Sequence, residues 1–332
     1  MTMTHLDRAT LLAAIALANR APSVHNSQPW RWRIGDSSIH LFADPERALP
    51  ATDPEGRDLR ISCGAALHHL RVALCAAGLA TRVHRLPDPA IPQHLAALEP
   101  FPRHPTADDL TLAAAIDRRR SDRRVFSTWP VPEELLAELV AAAAAEDGIL
   151  ELLLGADQRW TVTRLVEEAA LEQALTPGTA QETAAWTGRS RAAVDGVPAG
   201  AVPAEPAGTV PVRHFAGGNL RQATLGMYEA DGTVLGLLAT RGDGPLDHLR
   251  AGEALSAVLL AAARIGLATD PISQPLEVPA TREELRTSCL QASAEPQIVL
   301  RLGWAPMSAE PLPATRRRPV EETIEELAAP WR

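Results

Sequence analysis

The sequence predicts an α+β protein of two tandem, diverged halves, with a central sheet flanked by helices. Three observations predict it: an internal repeat at a fixed offset, short β-rich runs set among long apolar-periodic helices, and a proline-rich stretch between the halves. Residues 64–81 read GAALHHLRVALCAAGLAT and residues 252–269 read GEALSAVLLAAARIGLAT, ungapped at an offset of 188 with eight identities in eighteen positions. Each copy is an apolar-periodic helix that stops at a glycine, Gly78 or Gly266, where a left-handed cap costs little. Alanine-rich helices match by chance often enough that the shared G-L-A-T end carries most of the weight.

The elements follow in chain order. LLAAIALANRAPSVHNSQPWRWRI reads as helix, loop and strand, and residues 135–154, LLAELVAAAAAEDGILELLL, read as helix, brief turn and strand. The first carries a polar insertion, APSVHNSQPW, where the second has only a turn; the second is preceded by DRRRSDRRVF, which the first lacks. Each half therefore keeps something that the other has lost. Strands are expected at Trp30–Ile34, Ile39–Phe42, Leu150–Leu154, Val234–Thr240 and Gln297–Leu302. Six prolines in residues 87–106 give that stretch the composition of a connector, which sets the halves at 1–105 and 106–332. Residues 176–218 are rich in Gly, Pro, Ala and Thr with weak periodicity, the mark of a functional lid or of a disordered loop.

At 332 residues, 46% hydrophobic and 22% charged, the chain has ample material for a core. A formal net charge of −9 excludes generic binding to nucleic acid or anionic membrane, although clustered arginines leave room for a local anion site. The three cysteines, Cys63, Cys75 and Cys289, are too few and too scattered for a disulfide framework and suit a reducing compartment. The start, MTMTHLDRATLL, lacks the pattern of a signal peptide, and the most apolar helix, 254–268, is too short for a bilayer and carries Arg264. A cytoplasmic protein is expected.

Two segments carry chemistry. In DRRRSDRRVF, residues 117–126, five arginines and a serine offer forked donors suited to phosphate, and the R-x-S-x-R spacing lets Arg119, Ser121 and Arg123 converge on one anion. A solvated basic patch is the alternative. In the run from Ala21 to Trp30, turn-forming residues leave backbone N–H groups free, and Asn26 and Gln28 bring amide donors and acceptors able to read a flat heterocycle such as a flavin. The alternative there is a capped structural loop, and His25 alone reads as a hydrogen-bonded loop histidine.

The A-P-S-x-x-N-x-Q-P-W run is similar to the cofactor loop of the nitroreductase family, and R-R-S-D-R-R-V-F resembles its N-terminal phosphate motif. AAARIGLATDPI, QIVLRLGWAP and RRRPVEE resemble the family's C-terminal part, and more narrowly the chain looks like the actinobacterial Acg family. The resemblance covers most of the chain, leaving residues 176–218 outside the general pattern. It implies a nitroreductase-like fold and FMN as cofactor. In that family FMN lies at a homodimer interface, with the R-x-S-x-R motif from one subunit and the P-S-x-x-N loop from the other. A fused pseudo-dimer within one chain, with one complete site and no need of a partner, would explain the complementary losses.

On this resemblance Pro22, Ser23, Asn26 and Gln28 contribute from one half, and Arg119, Ser121 and Arg123 from the other, with Arg317 or Arg318 as the C-terminal phosphate arginine. The implied reaction passes hydride from NAD(P)H through FMN to a nitro compound or quinone. No catalytic side chain is required, and no metal site or G-x-G-x-x-G fingerprint is seen. The alternative is a silent FMN-sequestering protein whose lid, with Trp186, His214 and Phe215 in or beside it, stays closed over the flavin. An ordinary structural domain with surface arginines is the third reading.

Overall fold

The first described element begins with a cap: the Asp7 carboxylate accepts the Thr10 N–H and frees the chain to run as helix α1 (Arg8–Ala18). The computed structural model describes residues 7–204, 208–213, 215, 217–222, 231–307 and 309–326. After α1 come β1 (Trp30–Ile34), β2 (Ile39–Ala43), α2 (Arg57–Ala76), β3 (Leu79–Arg85), β4 (His94–Pro102) and α3 (Ala107–Arg118). Then follow α4 (Glu133–Ala144), β5 (Ile149–Leu153), α5 (Ala156–Leu175), α6 (Pro177–Ala185), β6 (Val234–Thr240) and α7 (Pro245–Ile265). The described chain ends with β7 (Ala268–Ile272), α8 (Gln274–Glu277), α9 (Pro279–Leu290), β8 (Glu295–Gly303) and β9 (Ile324–Glu326). The fold is α+β.

The strands form two sheets, ordered β3-β4-β2-β1-β9 and β7-β8-β6-β5. Without β9 the two orders correspond strand for strand, and every corresponding pairing is antiparallel. A helix, α2 or α7, enters each sheet's edge strand through a left-handed glycine: Gly78 and Gly266 both have φ +84°. β9 breaks the correspondence. It runs parallel to β1, pairing Trp32 with Ile324, and so carries the C-terminal segment across to the first sheet.

Helices α2 and α7 pack on each other at the offset of the sequence repeat. Arg60 Nε donates to His248 Nδ1 (3.1 Å), Gly64 lies against Gly252, and His68 Nδ1 meets Ser256 Oγ (2.7 Å). Contacts at a constant offset of 188 require the two helices to run parallel and in register. Close approach explains the glycines: a Cβ on Gly64 would strike the Leu249 carbonyl, and one on Gly252 the Ile61 carbonyl. One apolar core, including Leu11, Trp30, Trp32 and Leu67, lies beneath the first sheet; another, including Leu139, Leu238, Leu255 and Leu300, lies beneath the second. Each fully buried leucine contributes roughly 1.5–3 kcal/mol relative to exposure.

The expected strands are all present to within two residues at either end, but residues 87–106 are more than a connector, because β4 occupies 94–102. β2 covers β4 only as far as Leu98, so Pro100 and Pro102 lie where β4 has β3 as its single neighbour. Proline is tolerated at such an edge because no second ladder requires its N–H. The described residues of 176–218 also hold more structure than the composition suggested, with α6 at the start and an irregular but hydrogen-bonded chain through 186–204. Among the described residues no helix is long and apolar enough to cross a membrane.

Candidate functional site

The loop between α1 and β1 is a strained structure held by many bonds. His25, Asn26 and Gln28 have φ values of 49°, 55° and 51°, a left-handed region that costs non-glycine residues about 1–3 kcal/mol each. Compensation comes from Ser23 Oγ accepting the Gln28 N–H (3.0 Å) and Ser62 Oγ, on α2, accepting the Val24 N–H (3.1 Å). Trp30 and Trp32 both donate through Nε1 to Asn19 Oδ1, and Asn19 Nδ2 donates to Thr323 Oγ1 (2.8 Å), which ties the C-terminal segment to the loop. Opposite, the arginine-rich run leaves α3 and passes beside β7: Ser121 bridges Thr269, and the Asp122 N–H donates to the Thr269 carbonyl (2.8 Å).

Between these two walls lie adjoining hollows of about 780 and 710 Å³, mouths included. Pro22, Ser23, His25, Ser121 and Arg123 line both. Arg20, Arg119, Arg120 and Arg317 gather at the outer hollow. Arg119 is only 6% exposed, and among the described residues its Nε and Nη1 have no hydrogen-bond partner; the Arg317 Nε atom is likewise buried and unpartnered among them. Burial, reinforced by the neighbouring guanidinium groups, lowers Arg119 to about 10 and Arg317 to about 9. Among the described residues, a carboxylate bridges to this cluster at Arg20, through Asp117 (3.0 Å). Cations pushed together, with Arg119 buried and donor atoms unused, favour an anion, and a phosphate monoester supplies both charge and acceptors.

The inner hollow has a different character. Its walls come from α2, α7, β7 and β8 through Ile61, Leu255, Ile272 and Ile298, with Phe215 over one side. Phe215 packs edge-on against His25, centroids 5.8 Å apart, and lies under the Arg123 guanidinium at 5.1 Å. Burial holds His25 neutral, its value lowered to about 3. An apolar slot with a polar rim, opening from an arginine cluster, suits a flat ring carried on a phosphorylated chain.

No family model matches the chain. The Mycobacterium tuberculosis (H37Rv) protein named "Putative NAD(P)H nitroreductase Rv3131" is 44% identical over 97% of this chain and 93% of its own length. A second protein of that organism, described in the same words but with the name acg, is 35% identical over 97% of each chain. The chain belongs to the nitroreductase-like Acg family. A third relative, "Uncharacterized protein Rv3127", is 36% identical over 94% of this chain and 92% of its own length. A crystal structure of a nitroreductase with bound FMN from Bacteroides fragilis aligns at TM-score 0.38 and 14% identity over 60% of this chain and 90% of that one, too distant to bear on the site.

In this Acg-family chain, Pro22, Ser23, Asn26, Arg119, Ser121, Arg123 and Arg317 all line the outer hollow. Asn26 Nδ2 donates to the Gly196 carbonyl (3.1 Å), and its buried Oδ1 has no partner among the described residues. Gln28 and Arg318 are placed elsewhere. Gln28 Nε2 donates to the Val194 carbonyl (2.9 Å) and its Oε1 accepts the Arg318 N–H (2.8 Å), while the Arg318 guanidinium lies 3.7 Å from Asp44. Residues 192–201 cap the outer hollow through Val197, Pro198, Gly200 and Ala201. Trp186 stands off the site beneath Arg47, and His214 lies outside the described residues.

Sequence reasoning passed over Arg20 and Asp58. Arg20 stands directly before the A-P-S run, a signal available in the sequence. Asp58 gave a weaker one, a charge in the first turn of a helix that is otherwise apolar in its middle.

Proposed function

We propose that this protein is an FMN-dependent oxidoreductase of nitroreductase type, passing hydride from NAD(P)H to a nitro compound or quinone. The observation that carries the reading is the cluster of the buried Arg119 with the part-buried Arg317, with unused donors, at the mouth of an apolar slot. The residues present fit FMN: Arg119, Arg317 and Ser121 would hold its phosphate end, and Pro22, Ser23 and Asn26 would border the ring. When bound, FMN would supply the hydride chemistry. The chain would supply position and charge, and would keep water out through Val197, Pro198 and Phe215. The names of the Acg-family relatives support the same reaction.

The site takes its two walls from the two proposed halves, 1–105 and 106–332. Matching strand order, the glycine exits at φ +84° and the α2–α7 register at offset 188 support reading them as an intrachain pseudo-dimer. One FMN per chain and a sufficient monomer follow from that reading. Three thiols without a disulfide among them fit a cytoplasmic setting.

A specific observation favours a second reading, that of a flavin store. Residues 176–218, our proposed lid, are pinned by Gly196 on Asn26, Val194 on Gln28, Asp195 on Arg47 (2.5 Å) and Arg213 on Glu277 (2.5 Å). The deciding experiment is a visible spectrum of the protein after FMN addition, followed by NADPH without oxygen. We expect flavin bands that bleach. Bands that persist would establish the closed store, and a failure to bind FMN would overturn both readings.

A further inference from the structure

We propose that Asp58 is the proton donor of the inner hollow, giving its carboxyl proton to an oxygen of a quinone as hydride reaches that quinone from the reduced cofactor. The inference rests on the oxidoreductase reading above and narrows its acceptor. Asp58 lines the inner hollow, is 3% exposed, and neither carboxyl oxygen makes a hydrogen bond among the described residues. It stands in the first turn of α2, fixed from behind by Ser62 Oγ, which donates to its carbonyl (2.7 Å).

A useful donor must hold its proton at rest and survive as a carboxylate afterwards. Burial provides the first condition. Arg57 provides the second: its Nη2 lies 2.5 Å from Asp58 Oδ1, while its Nη1 is anchored on the Gln297 carbonyl (2.7 Å). The balance puts Asp58 at about 7, with burial raising it most, Arg57 opposing, Asp53 and Glu277 raising it further and Arg213 lowering it. Glu277 and Arg213 are paired with each other, so their fields on Asp58 partly cancel.

The other carboxyl of this wall, Asp270, differs in its setting. Burial raises Asp270 as well, but two cations face it, Arg123 at 3.9 Å and Arg301 at 3.6 Å, against the single Arg57 at Asp58, and burial holds His25 neutral.

The step balances with one proton. Hydride brings two electrons and one proton to the quinone, Asp58 brings the second proton, and hydroquinone leaves. The cofactor is oxidised by two electrons, having been reduced by NAD(P)H, and the Asp58 carboxylate regains a proton from water.

The test uses FMN-loaded protein, pre-reduced and mixed with menadione across a range of pH. For the wild type, the rate should fall about tenfold per unit of pH above a break near neutrality. Asp58→Asn should be slower by roughly 10²-fold and lack the break. Asp58→Glu, which keeps a carboxyl, should restore it. Independently of turnover, infrared difference spectra between mildly acid and alkaline pH should show a protonated-carboxyl band lost from the wild type and absent in Asp58→Asn.

An unchanged pH break in Asp58→Asn, or a persisting infrared band, would overturn the proposal. So would loss of FMN binding in both variants, which would make Asp58 a structural support. Failure of the oxidoreductase reading shows separately, as wild-type protein that takes up no FMN or does not bleach.

Discussion

Arg317 and Arg318 adjoin in sequence and face opposite ways. Arg317 points its guanidinium at the Arg20 and Ala21 carbonyls (3.3 and 3.2 Å), beneath the outer hollow, whereas that of Arg318 reaches towards Asp44 and Glu322. A charged hydrogen bond to phosphate contributes about 1.5–3 kcal/mol, so Arg317→Ala should weaken FMN roughly 10- to 150-fold. Arg318→Ala should change affinity by less than about threefold, because its side chain lies off the site. Fluorescence titration of the two variants checks this, and equal losses would refute the assignment. Three consecutive arginines carry no register, so a sequence cannot choose between them; that choice is made by the direction of a backbone fixed through Gln28. Asn26 and Arg119 were legible because turn residues and clustered arginines advertise polar backbone and charge. Asp58 was not, since a lone acid in a first helical turn is more often a dipole partner.

At the scale of elements, the parallel contact of α2 and α7 depends on two glycines. In Gly252→Ala the new Cβ would lie 2.8 Å from both the Ala65 N and the Gly64 Cα, besides striking the Ile61 carbonyl. Alanine gains about 1 kcal/mol in helix propensity over glycine, and overpacking of this kind costs about 1–3 kcal/mol. With backbone rather than flexible side chains in the way, the clash should win, by about 1–2 kcal/mol net. Urea unfolding should show a lower midpoint with an unchanged slope; an equal or higher midpoint would mean that the helices can part without cost. The repeat was visible in the sequence because helix packing at close range constrains residue size at fixed positions. β4 was obscured because its prolines, harmless at a half-covered edge, read as breakers when pairing partners are unknown. β9 was also missed: three residues paired through a distant strand leave almost no local pattern.

At the scale of the molecule, a chain with net charge −9 concentrates arginines where its two sheets' loops meet. The cations come from three separate stretches: Arg20 before the first sheet, Arg119 and Arg120 after α3, and Arg317 near the end. Such a cluster forms only when these distant stretches of the chain are folded together. Composition could reveal the excess of arginine but not its convergence, which depends on the crossing of the C-terminal segment to β1.

The central claim is therefore one shared FMN site per chain, and its most direct test is calorimetric titration of FMN into the wild type, Asn26→Ala and Arg119→Ala. We predict one FMN per wild-type chain and weakened binding in both variants, although the two residues lie in different halves of the proposed pseudo-dimer. Two FMN per chain, or full affinity in either variant, would contradict it.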